Sequence, residues 1–65
     1  MEYYGLVGRG PFQEVLVRRE PYTDGTPGTR LVSQEPTGMT YRSFSEGERA
    51  IGEKNRAIAR ARYGR

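Results

Sequence analysis

The stretch SEGERAIGEKNRAIARAR, residues 45–62, changes the rhythm of the chain. Gly47, Ala50, Ile51, Lys54, Ala57, Ile58 and Ala61 recur at the three-and-four spacing that lines one face of an α-helix. Ser45 followed by Glu48 reads as a capping box, in which the serine bonds the glutamate amide and the glutamate reaches back. Glu46 and Glu48 stand at the positive end of the helix dipole, Arg60 and Arg62 at the negative end. Gly64 can serve as the stop. The spacing predicts a helix over 46–62.

Upstream of it the pattern belongs to strands, over about residues 2–44. EYYGLV, 2–7, ends at the turn-rich GRGP. FQEVLVRRE, 12–20, holds Val15, Leu16 and Val17, apolar enough for a central strand. A helix opening at Pro11 competes with that reading, because proline is favoured in a first turn. The β-branched pair and the following Pro21 favour the strand. PYTDGTPGT, 21–29, is a loop; RLVSQ, 30–34, is a short strand; EPTG, 35–38, is a reverse turn with proline at its second position. MTYRSF, 39–44, alternates as a strand and pairs with 30–34 as a hairpin. The expected fold is α+β: a single small domain, 1–65, with a three- or four-stranded antiparallel sheet and the C-terminal helix packed on one face. Ile51 and Ile58 would anchor the helix, with Val15, Val17 and Leu31 opposite, and Tyr3, Tyr41 and Phe44 in the core.

The composition removes several kinds of chemistry. There are no cysteines and no histidines, so disulfides, cysteine–zinc sites and the commonest general base are absent. Gly8-Arg9-Gly10 lacks the third glycine and the following helix that a phosphate cradle needs. The carboxylates Glu14, Glu20, Asp24, Glu35, Glu46 and Glu48 are scattered, each with an ordinary surface role. No enzymatic activity, metal or cofactor is expected. No apolar run is long enough to cross a bilayer, and MEYYGLVGRG is unlike a secretory or transit signal. A cytoplasmic location with no membrane partner is the expectation.

The formal charge of +3 conceals a polarity. Residues 1–48 sum to −2, whereas 49–65 sum to +5 from Arg49, Lys54, Arg56, Arg60, Arg62 and Arg65 against Glu53. Helix-dipole pairing explains basic residues in a last turn. It does not explain Arg49, Arg56 and Arg60 recurring over several turns, and Arg56 and Arg60 repel each other at i,i+4. A basic face of this kind suits phosphates, DNA more than RNA. In the strand region Arg9, beside the first turn, and Gln13, Arg18, Arg19, Arg30 and Arg42 are candidate nucleic-acid contacts; Gln13, Arg18 or Arg19, Arg30 and Arg42 could share a groove-reading sheet face opposite the helix. A phage- or plasmid-type regulator docking on an acidic surface of a larger protein fits the same charge. Oligomeric state is open.

YRSFSEGERAIGEKNRAI, 41–58, resembles the end of the apetala/ethylene-response type DNA-binding domain through Tyr41, Ser43, Phe44, Ser45, Glu48 and Ala50. YYGLVGRGPF, 3–12, is similar to that family's opening strand and turn at Gly5, Arg9, Pro11 and Phe12. The arm-type DNA-binding domains of tyrosine recombinases are similar in outline. The resemblance implies three antiparallel strands followed by one helix, and DNA contacts at Arg9, Arg18 and Arg42. The chain has no tryptophan, however, and carries Tyr4 and Val7 where the family's opening strand has arginines.

Overall fold

A computed structural model describes residues 1–63. Three strands, β1 (Glu2–Val7), β2 (Phe12–Pro21) and β3 (Thr29–Tyr41), precede one helix, α1 (Phe44–Tyr63). The sheet is antiparallel in the order β1-β2-β3, so β2 is central. This is the expected α+β architecture, with three strands rather than four.

The turn β1–β2 needs Gly8, whose φ of 84° few side chains tolerate, and whose added Cβ would lie 3.1 Å from the Pro11 carbonyl oxygen. Beyond it, β1 and β2 pair without interruption from Val7↔Gln13 to Glu2↔Arg18. The Met1 amine and carbonyl extend this ladder by bonds to the Arg19 carbonyl and amide, each 2.8 Å.

Residues 29–41 form one strand, which corrects the two-strand hairpin expected around EPTG. Pro36 is paired in register with Val15, and Thr40 with Gln13. Thr37, Gly38 and Met39 are left opposite Glu14 as a bulge, with Gly38 at φ 94°. Proline and glycine here serve an irregular edge strand rather than a turn. A missing amide costs least at a sheet edge, and a bulge accommodates positive φ.

The helix begins earlier than its sequence pattern implies. Ser43 Oγ accepts from the Glu46 amide at 3.2 Å and the Ser43 carbonyl accepts from the Gly47 amide at 3.2 Å. Ser43, not Ser45, is therefore the cap, two residues upstream. Gly64, the expected stop, lies outside the described residues.

Cross-strand register decides which residues meet α1. Tyr4 pairs with Leu16, Leu6 with Glu14 and Phe12 with Tyr41, so these six share one side of the sheet. The helix lies on that side: an added Cβ on Gly47 would fall 2.6 Å from Leu6 Cδ1, and Phe12 meets Phe44 edge to face at 5.7 Å. Val15 and Val17, though buried, belong to the reverse side with Gly5, whose bare α-carbon leaves room beside them. The expected packing of Ile51 and Ile58 on Val15, Val17 and Leu31 is corrected accordingly; Leu31 is exposed and the two isoleucines are partly buried. Phe44 is 52% exposed, not a core residue.

Candidate nucleic-acid interface

Beside its apolar contacts, α1 is tied to the sheet by polar ones. Glu14 has no exposed surface, contrary to the surface role its sequence context implies. Its carboxylate accepts from Tyr41 Oη at 2.8 Å, Thr37 Oγ1 at 2.7 Å and Lys54 Nζ at 2.7 Å. One donor each comes from the end of β3, its bulge and the helix, so the cluster ties together three separate segments. Burial pushes the Glu14 carboxyl upward, but the bonds from Lys54, Thr37 and Tyr41 outweigh it and hold the group below the ordinary glutamate range. Bonding to Glu14 raises both Lys54 and Tyr41. Lys54 Nζ also lies 5.1 Å from the centre of the Tyr4 ring, a favourable site for a cation.

With this register, the helix turns a defined surface outward. Gly47 and Ile51 lie toward the sheet, and Arg49, Arg56 and Arg60 fall roughly half a turn away from Gly47 at 3.6 residues per turn. All three arginines are exposed. Glu53 sits among them and reaches Arg56 at 3.7 Å, an exposed i,i+3 pair that neutralises part of the stripe. Arg62 is exposed elsewhere on the helix, beside a shallow groove of about 400 Å³ formed with Met1, Tyr3 and Ile58. Arg65 lies outside the described residues.

The sheet arginines are not gathered on one face. Alternation along β2 sends Arg18 and Glu20 to the helix side and Gln13 and Arg19 to the reverse side. Arg18 and Arg30 both approach Glu20, at 3.3 and 3.7 Å. Arg19 donates through Nε to Thr29 Oγ1 at 2.9 Å and through Nη2 to the Thr29 carbonyl at 2.8 Å, closing the mouth of the β2–β3 loop. Arg9 and Arg42 are exposed at the opposite end of the sheet, beside the β1–β2 turn and the start of α1. Of the strand-region residues singled out from sequence, Arg9, Gln13 and Arg42 make no side-chain hydrogen bond or ion pair among the described residues, and they do not share one face of the sheet.

A groove of about 620 Å³ runs beside the helix and is lined by Tyr41, Glu46, Arg49, Ala50, Glu53 and Lys54. Its walls carry both signs of charge, and Lys54 and Tyr41 already bond Glu14. Among the described residues no helix is long and apolar enough to cross a membrane.

Sequence reasoning missed Glu14, Lys54 and Asn55, which position the helix. A signal existed for the first two. Lys54 interrupts the apolar stripe of α1, and Glu14 shares the alternation of Phe12 and Leu16; two opposite charges on two apolar faces can bury only together. No family model, curated protein or solved structure matches the chain.

Proposed function

We propose that this protein is a small nucleic-acid-binding module that holds duplex DNA mainly by its phosphates, through the outward face of α1. The observation that carries the reading is the exposed recurrence of Arg49, Arg56 and Arg60 along a helix whose inward face is locked by Lys54 and Asn55. A polyanion meets that stripe without any rearrangement of the core. The sheet contributes less than its sequence implies, because alternation sends Arg18 and Arg19 to opposite faces and Arg19 is tied to Thr29. Phosphate contacts position a protein without reading bases, so the binding is expected to be nearly independent of sequence.

The test is a salt titration of affinity for a mixed-sequence duplex. If the three arginines each neutralise one phosphate, log K should fall with log salt with a slope of about −3, since each contact releases roughly 0.9 counterion. Failure to bind any duplex at low salt would remove the reading. An acidic surface on a larger protein would then be the counterpart of the same stripe.

A further inference from the structure

The end of the molecule where α1 begins carries a feature that phosphate binding leaves unused. Phe44, the first residue of the helix, is 52% exposed although its ring is large and apolar. The ring is held rather than loose: it meets Phe12 at 5.7 Å between centroids with 64° between planes. Arg9 and Arg42 stand at the same end and are exposed. Arg49, five residues further along the same helix, lies roughly 8 Å along the axis and about 140° around it, on the outward stripe rather than beside the ring. An exposed aromatic with cations at the same end of the fold is an arrangement on which single-stranded nucleic acid stacks. The ring takes the face of a base, and the arginines take the phosphates on either side.

We infer that Phe44 is a stacking platform for an unpaired DNA base, so that the module favours junctions between duplex and single strand. The inference rests on the nucleic-acid reading above and adds a substrate preference to it. The charge at this end supports this occupant: Arg9 and Arg42 are both exposed there, and a base never arrives without its phosphates. The stripe on α1 holds the duplex part, and the Phe44 end takes the first unpaired nucleotides.

The experiment compares binding, by fluorescence anisotropy, of a blunt DNA duplex and the same duplex with a short single-stranded thymidine overhang. The parent protein should prefer the overhang by about fivefold or more, the range that base–aromatic stacking supports. Phe44→Leu keeps an apolar side chain on Phe12 and should lose that preference while binding the blunt duplex unchanged. Phe44→Tyr keeps an aromatic face and should retain it. Melting curves of both variants confirm that each is folded. A parent without preference, or a Phe44→Leu variant that keeps it, overturns the inference while leaving the phosphate reading intact. Absence of binding to either DNA removes both.

Discussion

Asn55 holds the edge of β1 as a neighbouring strand would. Its Oδ1 accepts from the Tyr4 amide at 2.7 Å and its Nδ2 donates to the Tyr4 carbonyl at 3.0 Å. A helix side chain thus satisfies both backbone groups that an edge strand would otherwise leave free. Asn55→Ala should therefore destabilise the domain by about 1–3 kcal/mol, because it leaves a part-buried donor and acceptor without partners. Asn55→Asp should lose the bond to the carbonyl, keep that to the amide and fall between the two. Urea unfolding of the three proteins checks the order, and an Ala variant as stable as the parent would show that water replaces the amide fully.

Among the described residues Lys54 is the only cation on Glu14, a carboxylate with no exposed surface. Removing one partner of a buried pair commonly costs about 3–5 kcal/mol. Lys54 is itself 40% exposed, so solvent reaches its side of the pair and the cost of Lys54→Met should be nearer 2 kcal/mol after that discount. Glu14→Leu combined with Lys54→Met should be less destabilising than the sum of the two single changes, since no charge is then left buried. A double-mutant cycle measures the difference; strict additivity would mean that the pair is not coupled.

The same cluster sets a pH dependence. Glu14 is held below the ordinary glutamate range, against the upward push of burial, by Lys54, Thr37 and Tyr41. A carboxylate depressed in the folded state contributes stability above its unfolded pKa of about 4.3, and that contribution is lost as pH falls through the folded value. Lys54 and Tyr41 are raised by Glu14; their share is present below their ordinary values and is lost only as pH rises through the folded ones. Stability should thus be level across neutral pH and fall on acidification below about pH 4. Glu14→Gln should flatten that acid limb in melting curves taken from pH 7 to pH 2. An unchanged limb would assign the acid sensitivity to other carboxylates.

Gly47 sets the height of the helix over β1. A Cβ there would lie 2.6, 3.0 and 3.4 Å from three carbons of the Leu6 side chain, so the whole branched end of the leucine must move. Gly47→Ala gains roughly 1 kcal/mol of helix propensity and incurs about 1–3 kcal/mol of overpacking. The expected net result is a loss of stability, relieved when Leu6→Val is added. A thermal melt in which Gly47→Ala alone is more stable would show that Leu6 has room to swing aside.

Arg56 and Arg60 lie on the exposed face and are expected to be dispensable for folding. Arg56→Gln with Arg60→Gln should leave the melting temperature nearly unchanged and reduce the salt slope of duplex binding by about two. A folded double variant with the parent's slope would take the phosphates away from this stripe.

The sequence by itself determined the kinds of element and their order. Local rules suffice for that: Val15-Leu16-Val17 favours extended chain, the spacing of Ala50, Ile51 and Ile58 favours helix, and the excess of arginine after residue 48 needs no coordinates. It misplaced the cap, because Ser43 and Ser45 each precede a glutamate three residues on and only the entry of the chain from β3 selects between them. It also mistook residues 35–38 for a turn, since proline and glycine serve a turn and an edge bulge equally well. Only the tertiary structure decided which faces meet. The uninterrupted β1–β2 register put Glu14 under the helix and Val15 behind the sheet, and a shift of one residue would have exchanged them. That choice depends on pairing between distant segments. Leu6 against Gly47, Asn55 on Tyr4 and Lys54 on Glu14 select it together, by fit and by bonds that no short stretch of the chain contains.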